Sequence, residues 1–492
     1  MTLIPIKLPA GFHANGTDLD SEGRWHDGSL VRWRDGSIRP VGGWAERYTS
    51  AYAAPARGMV AWEDTTASRW IAAGTYNKLY ATTSGGTTYD ITPVGFTAGY
   101  IDAQVNTGFG GGLYGSSFYG QARQGIGRYG EATTWTLDTW GQYLVGCSNA
   151  DGKLYEWQLN TASPAAVIAN APTDNRGLVV TEERFLMALG ADGDPRKIAW
   201  CDFEDNTLWA AASTNQAGDI TLQTSGQIMA GIRTAGQTLI VTDNDAHRAV
   251  YVGTPFIYEF ERVGSACGLI ARKAIADTPA GAFWMGQRGF YRYAGSAVEE
   301  LTCEVWDKVF LDINTAQISK CWAAANGQNG EVWFFYPSAA SNEIDSYVAF
   351  DYKENHWLIG KLERTSGFDR GVFRTPIWSD ASGNAYNHET GFNHGSQDVY
   401  AETGPFKLQA GENLVVVNKL IPDEVNLGDV QATFKTRLYP TATESTHGPY
   451  NMANPTSVRF QGRQVRMRID GVVNGPWRVG TMRFEGAAGS KR

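Results

Sequence analysis

The sequence predicts an all-β fold, a β-propeller of six to seven blades, from its composition and from an internal repeat. Aromatic residues make up 12% of the chain and Gly contributes 57 of its 492 residues, whereas only 19% are charged. Aromatic residues favour strands, and Gly favours the turns between them. One unit recurs along the chain: an apolar strand, a short Gly/Asn/Asp turn and a second strand with an aromatic residue near its start. A repeat of 40 to 50 residues is typical of four-stranded propeller blades.

Seven aromatic residues mark these hairpins, and we assign the propeller to residues 51–398. The markers are Tyr80, Tyr155, Trp200, Tyr251, Tyr291, Trp333 and Tyr386. The first two stand furthest apart because a Gly/Tyr-rich segment at about 107–130 is inserted between them. Its aromatic side chains Tyr114, Phe118 and Tyr119 are candidate subunit contacts, since aromatic residues anchor interfaces. A plain linker is the alternative interpretation.

Both ends of the chain lie outside the repeat. Residues 1–50 form a predicted N-terminal extension with a hairpin at Asp35-Gly36, a strong turn signal. Residues 399–492 alternate like strands without the blade spacing and predict a small sandwich-like domain. This last part holds 12 Lys or Arg and 8 Asp or Glu, in a chain with a net charge of −9. Arg466 and Arg468 share one strand face there and are candidates for docking an acidic partner. A merely solvated face is the alternative.

The usual chemical motifs are absent from the sequence. The Gly-rich segment has no GK[ST] and no following helix, so it does not predict a phosphate-binding loop. No GxSxG elbow is present. The five cysteines form no CxxC pair, and only seven His occur, which argues against a metal site. We therefore predict no catalytic residue, no metal and no cofactor. The start of the chain lacks the apolar region of a secretion signal, and no apolar run could span a bilayer, so synthesis in the cytoplasm is expected.

A carbohydrate-active or sugar-binding propeller is the main alternative function. Glycoside hydrolases use paired carboxylates, and acidic residues are common in this sequence. Most of them lie beside turns, where Asp is expected for its own backbone hydrogen bonds. The repeated Asp box of sialidase-type propellers does not occur with the correct spacing. A protein-interaction propeller of cellular origin is a further alternative.

Three segments resemble tail nozzle or tail hub proteins of short-tailed bacteriophages. The first runs from Leu8-Pro-Ala-Gly-Phe12 through Gly28 to Trp44 and contains Ile-Arg-Pro-Val-Gly-Gly. The second is the Gly/Tyr-rich insertion, and the third is Gly462-Arg-Gln-Val-Arg-Met-Arg-Ile469 followed by Trp477-Arg-Val-Gly480. Together these segments cover about a quarter of the chain.

The resemblance implies a non-enzymatic structural protein of the virion tail. It implies a ring, probably a hexamer, that contacts the tail adaptor and holds tail fibres, spikes or a needle. DNA would pass through the channel of the ring without specific binding. Contacts between a protein and the phosphates create affinity for DNA. An acidic channel wall would repel the phosphates instead, so the DNA would slide through without binding.

Overall fold

The computed structural model describes residues 2–49, 51–105, 129–408, 414–425, 428–440, 442–452 and 455–488. Strands dominate these residues, and helical segments are few and short. The helical segments are the α-helix Trp306–Phe310 and the 3-10 turns Asp18–Ser21, Ala191–Gly193 and Thr315–Lys320. None of the helices in the described ranges has the length and apolar character needed to cross a membrane.

Seven four-stranded antiparallel sheets in these ranges form the blades, numbered here in chain order. Blade 1 contains Met59–Glu63, Arg69–Gly74, Leu79–Thr83 and Thr88–Asp90. Blade 2 contains Trp135–Trp140, Tyr143–Ser148, Leu154–Trp157 and Ala166–Val167. Blade 3 contains Gly177–Val180, Leu186–Leu189, Lys197–Trp200 and Gly218–Thr221. Blade 4 contains Ile228–Thr234, Gln237–Thr242, Asp245–Gly253 and Ile257–Ser265. Blade 5 contains Ile275–Thr278, Gly281–Met285, Phe290–Tyr293 and Val298–Leu301. Blade 6 contains Trp322–Asn326, Glu331–Tyr336, Ser346–Asp351 and His356–Lys361. Blade 7 contains Ser366–Phe368, Ile377–Ser379, Ala385–His388 and Trp44–Tyr48.

The first strand of each blade contacts the first strand of the next, and blade 7 contacts blade 1 in the same way. These inner strands therefore surround a common axis, and the predicted all-β propeller is confirmed. Large side chains fill the space between neighbouring sheets, as the distance of 5.3 Å between the rings of Trp70 and Trp157 illustrates. Burying both faces of each sheet in this way supplies the main stabilising term of the fold.

The first fifty residues contribute strands to both parts of the molecule. Trp44–Tyr48 is the outer strand of blade 7 and pairs antiparallel with Ala385–His388, so an early segment closes the ring. Val31–Arg34 and Ser37–Pro40 form the hairpin at Asp35-Gly36, and both turn residues have positive φ values of 52° and 73°. That backbone matches the turn favoured in two-residue hairpins. The predicted N-terminal extension is therefore part of the packed structure.

The C-terminal part is a small sandwich that also takes in N-terminal strands. One sheet contains Trp25–Ser29, Tyr400–Thr403, Phe406–Lys407, Val430–Arg437, Ser445–Asn451 and Gln464–Gly471; the other contains Thr2–Ile6, Val415–Ile421, Thr456–Gly462 and Met482–Ala488. The strands Glu424–Val425 and Arg478–Val479 extend the Asp35-Gly36 hairpin into a third sheet. The aromatic rings of Phe434, Phe460 and Phe484 meet between the two sandwich sheets, with Phe434 and Phe460 4.8 Å apart.

Candidate functional site

One end of the propeller, which we call the loop face, gathers the links that lead into the inner strands. Because the four strands of a blade alternate in direction, the turn between its second and third strands lies at this same end. Two kinds of loop from each blade therefore surround one opening. Functional residues are commonly carried by loops that a rigid scaffold holds in place.

A cavity of about 860 Å³, which we call the loop-face pocket, lies at this end. Its lining combines carboxylates, amides, guanidiniums and one exposed aromatic ring. The lining residues are Thr97, Ala98, Gly99, Tyr100, Gly130, Glu131, Thr133, Asn149, Ala150, Asp151, Gly152, Asp174, Asn175, Arg176, Gly193 and Arg272. A pocket of this size is within the range of small-ligand sites.

Asn175 is a lining residue of the pocket and holds a fixed, buried and unpaired hydrogen-bond acceptor. Its side chain is buried, and Nδ2 donates to the carbonyl oxygens of Gly152 and Pro172 at 2.8 and 2.6 Å. Two carbonyl partners require the amide nitrogen on that side, so the orientation of the side chain is determined. Oδ1 has no hydrogen-bond partner among the described residues. A buried acceptor without a partner is costly, and a ligand hydroxyl or amide N–H would satisfy it.

Arg272 and Glu131 form an ion pair across the mouth of the channel that runs along the axis. Arg272 precedes the inner strand of blade 5 and Glu131 precedes that of blade 2, and these blades are not neighbours in the ring. Nε and Nη2 of Arg272 donate to Oε2 of Glu131 at 3.2 and 3.0 Å. Burial opposes the charge of Glu131, but Arg272 outweighs it and holds the pKa of the carboxyl below its usual value. Nη1 of the buried Arg272 has no partner among the described residues.

Arg176 is a second guanidinium in the same lining. It immediately precedes the inner strand of blade 3, and its Nη1 donates to Oε1 of Gln227. Among the described residues, no carboxylate lies within ion-pair distance of it. Burial and the nearby Arg272 lower the pKa of Arg176. Of the two guanidiniums, that of Arg272 contacts the Glu131 carboxylate, and that of Arg176 contacts no carboxylate of the described residues.

The other carboxylates of the pocket lie further from the axis. Asp151 is in the turn between the second and third strands of blade 2, and it accepts a hydrogen bond from the Tyr155 hydroxyl. Burial and this carboxylate both raise the pKa of Tyr155. Asp174 is exposed and faces Gly193, in the corresponding turn of blade 3. The pocket thus has a cationic side towards the axis and an acidic, amide-rich side towards the rim.

A second cavity of about 460 Å³ follows the axis below the pocket, and Arg272 lines both. Asp138 accepts hydrogen bonds from Val180 N and from Arg233 Nη2, at 3.0 and 2.8 Å. Burial nevertheless raises the pKa of Asp138 and that of Asp277. Burial also lowers the pKa of Lys273, and the Asp138 charge offsets only part of this effect. Ionisable groups perturbed in this way are common at functional sites.

The lining of this second cavity has mixed charge, unlike the acidic wall expected for the passage of DNA. Asp138 and Asp277 are its carboxylates, whereas Arg233, Arg272 and Lys273 carry positive charge. Within the described ranges, no three His, Cys, Asp or Glu side chains converge in the manner of a metal site.

The candidate contact and docking residues predicted from the sequence are not among the described lining residues of the loop-face pocket. Tyr114, Phe118 and Tyr119 lie outside the described residues, and their role as subunit contacts stays a prediction. Arg466 and Arg468 share one strand face, opposite the buried Val465, Met467 and Ile469, as expected.

The arginines of that strand are less available than expected, because carboxylates of this chain already pair with them. The side chain of Arg466 is 14% exposed and pairs with Asp18 and Glu444. Arg468 pairs with Asp470 at 2.8 Å, and its guanidinium lies 3.7 Å from the centre of the Tyr400 ring. Docking of a partner at these arginines stays a prediction.

One sequence signal could have led to the pocket residues. An Arg or Lys lies one to three residues before five of the seven described inner strands. These cations are Arg57, Arg176, Arg272, Lys320 and Arg364. Equivalent positions in successive blades lie at the same height along the propeller axis. The recurrence therefore predicts a cluster of cations at the loop face.

No family model and no curated protein matches the chain. The chain is similar in fold to virginiamycin B lyase from Staphylococcus aureus, with a TM-score of 0.44 and 10% identity, over 70% of this chain and 98% of that one. A streptogramin B lyase structure gives a TM-score of 0.41 and 9% identity, over 70% and 96%. PorZ, a surface component of the type-IX secretion system of Porphyromonas gingivalis, gives 0.38 and 8%, over 77% and 45%.

Two predictions are corrected by these comparisons. The non-enzymatic tail nozzle is contradicted, because the similar structures named here are lyases and a secretion-system component, and none is a phage tail protein. The prediction that the protein is not an enzyme is also contradicted, since a lyase has a propeller of this kind. At 8–10% identity the likeness concerns the fold alone, and no residue role is transferred.

Proposed function

We propose that the propeller binds a hydroxyl-rich ligand, an oligosaccharide, in the loop-face pocket. The observation that carries this proposal is the Oδ1 atom of Asn175, a buried acceptor held in place by its own amide group and left without a partner. A site built to hydrogen-bond a ligand hydroxyl discriminates strongly against analogues that lack it.

The rest of the lining suits the same class of ligand. Asp151 and Asp174 supply carboxylate oxygens, which accept hydrogen bonds from hydroxyl groups. The exposed ring of Tyr100 lies at the rim of the pocket. An aromatic ring there offers a flat apolar surface together with a polar hydroxyl, and a sugar ring has both apolar and polar faces to match. The pocket volume of about 860 Å³ accommodates more than one sugar unit.

Binding is tested by applying the full chain to a glycan array and then measuring affinities by isothermal titration calorimetry. We expect Tyr100→Ala to weaken binding several-fold without loss of stability, because this side chain is 53% exposed. Asn175→Ala should weaken binding at least tenfold. Phe256→Ala, which removes a 78% exposed ring from the outer hairpin of blade 4, is the matched control and should bind like the wild type. Glycan binding that survives both pocket substitutions would place the site elsewhere and contradict the proposal.

A further inference from the structure

We infer that the ligand of the loop-face pocket is an acidic sugar whose carboxylate binds to Arg272 and Arg176. This inference rests on the proposed function and adds the chemical class of the ligand. Arg272 is about 7% exposed and is a lining residue of the pocket. Its Nε and Nη2 are used by Glu131, whereas Nη1 has no hydrogen-bond partner among the described residues.

The charge around the two guanidiniums also favours an incoming anion. Burial and the nearby Arg272 disfavour the charge of Arg176, and the charges of Glu131 and Asp243 offset only part of this effect. The hydrogen bond of the Arg176 guanidinium goes to the neutral Gln227. Glu131 neutralises one of the two positive charges. A ligand carboxylate would neutralise the second, and guanidiniums bind carboxylates through paired, charge-assisted hydrogen bonds.

The remaining cations at the starts of inner strands show what a completed arrangement looks like. Arg57 donates from both Nη atoms to the two oxygens of Glu343, at 2.9 and 2.5 Å. Lys320 is paired with Asp102 and also donates to a backbone carbonyl. Arg364 is turned towards the rings of Trp44 and Tyr386. Arg176 and Arg272 differ from Arg57 and Lys320 because they line an open pocket. Within the described ranges, these two guanidiniums also have one contacting carboxylate between them, Glu131, which pairs with Arg272.

The acidic residues of the pocket do not oppose this arrangement, because of where they lie. Asp151 belongs to the turn between the second and third strands of blade 2, at least one strand spacing of about 4.8 Å further from the axis than an inner strand. Asp174 faces Gly193 in the corresponding turn of blade 3. A ligand with a carboxylate at one end and hydroxyls at the other matches the cationic inner side and the acidic outer side.

Matched pairs of glycans test the inference on the full chain. Uronic acid oligosaccharides are compared with their carboxyl-reduced forms, and sialylated oligosaccharides with their desialylated forms, by titration calorimetry. We expect the acidic member of at least one pair to bind about tenfold or more tightly, with an affinity that falls as salt is added. Arg176→Gln and Arg272→Lys should reduce that advantage to threefold or less. Arg248→Gln, in the outer hairpin of blade 4 and paired with Glu261, is the control and should retain it.

Inorganic sulfate is the second probe and separates this inference from the proposed function. Equal binding of the acidic and neutral members would overturn the inference and leave the carbohydrate site standing. A sulfate-dependent rise in the unfolding temperature that both arginine variants lose, with no glycan bound, would show an anion site at the two arginines but would overturn the carbohydrate proposal and, with it, the acidic sugar as the ligand. Absence of binding by sulfate and by every glycan would overturn both. Arg272→Lys keeps a positive charge beside Glu131, so a folded variant is expected for each measurement.

Discussion

Arg272 and Glu131 meet at 3.0 Å across the axis, although their blades are separated by two others on one side of the ring. Blades that are not neighbours rarely share contacts, since each sheet packs on the sheets beside it. The pair spans the mouth of the axial channel, between the loop-face pocket and the second cavity, which Arg272 also lines.

Replacing Glu131 should make the pocket depend on an external anion. In Glu131→Gln, two guanidiniums remain without a contacting carboxylate, and we expect a loss of about 1–3 kcal/mol in the free energy of unfolding. Sulfate should restore more stability to this variant than to the wild type, because anion binding to the folded state adds to its stability. Urea unfolding with sulfate and with chloride at equal ionic strength measures the effect. An equal gain from sulfate in both proteins would contradict it.

Arg32 should be among the most sensitive positions for stability. It lies in the N-terminal hairpin and pairs with Glu331 at 2.9 Å and with Glu389 at 2.6 Å, in blades 6 and 7. All three side chains are at most 7% exposed. Removal of one partner from such a buried group typically costs about 3–5 kcal/mol.

Arg32→Ala should therefore lower the free energy of unfolding by that amount in chemical denaturation. Arg39→Ala is the control on the same hairpin, since Arg39 makes only a partly exposed pair with Asp35 at 3.6 Å. Its cost should stay below about 1 kcal/mol. Similar losses for the two variants would show that the buried pairs add nothing specific.

His388 should make the protein less stable in mild acid. Burial and the charges of Arg364 and His394 hold the pKa of His388 well below 6.5, and its Nε2 accepts a hydrogen bond from Arg364 at 2.9 Å. The unfolded chain binds a proton near pH 6.5, whereas the folded chain does so only at lower pH. This contribution is thus fully present above pH 6.5 and is lost as the pH falls below it.

Thermal unfolding between pH 7.5 and 5 measures this dependence. His388→Gln keeps an acceptor but removes the ionisable group, so its unfolding temperature should fall less than that of the wild type. Burial lowers the pKa values of His356 and His394 as well, so part of the acid effect will remain in the variant. Identical pH profiles would exclude His388 as a contributor.

Gly74 should not tolerate a side chain, because blades 1 and 2 are in close contact there. A Cβ atom at this position would lie 2.2 Å from Cγ of Trp135, whose Nε1 donates to the Thr75 carbonyl at 2.8 Å. Overpacking of this kind costs about 1–3 kcal/mol. Gly85→Ala in the same blade meets nothing closer than 3.9 Å and should have little effect. Denaturation midpoints of the two variants provide the comparison.

The features predicted correctly from sequence depend on local patterns. The hairpin at Asp35-Gly36 follows from turn chemistry, and the buried side of the strand through Val465 follows from alternation. The blade repeat follows from apolar and aromatic spacing, although its markers are not equivalent. Trp333 lies in the second strand of its blade, whereas Tyr80 lies in the third strand.

The features missed from sequence depend on residues that are distant along the chain. Nothing near Trp44 indicates that its strand pairs with residues 385–388 and closes the ring. Arg272 and Glu131 are 141 positions apart, and the unpaired oxygen of Asn175 is defined only by the folded environment of its amide. Sequence motifs describe neighbouring residues, whereas this pocket is assembled from several different links and turns.

Hydrogen–deuterium exchange with a glycan selected by the array tests the central claim most directly. The account predicts slower exchange on ligand addition in residues 97–100, 149–152 and 174–176, because backbone amides of the loop-face pocket would become protected. The Asn175→Ala variant should lose this protection at the same glycan concentration. Protection confined to the C-terminal sandwich, or to the outer strands of the blades, would contradict the assignment of the loop-face pocket as the binding site.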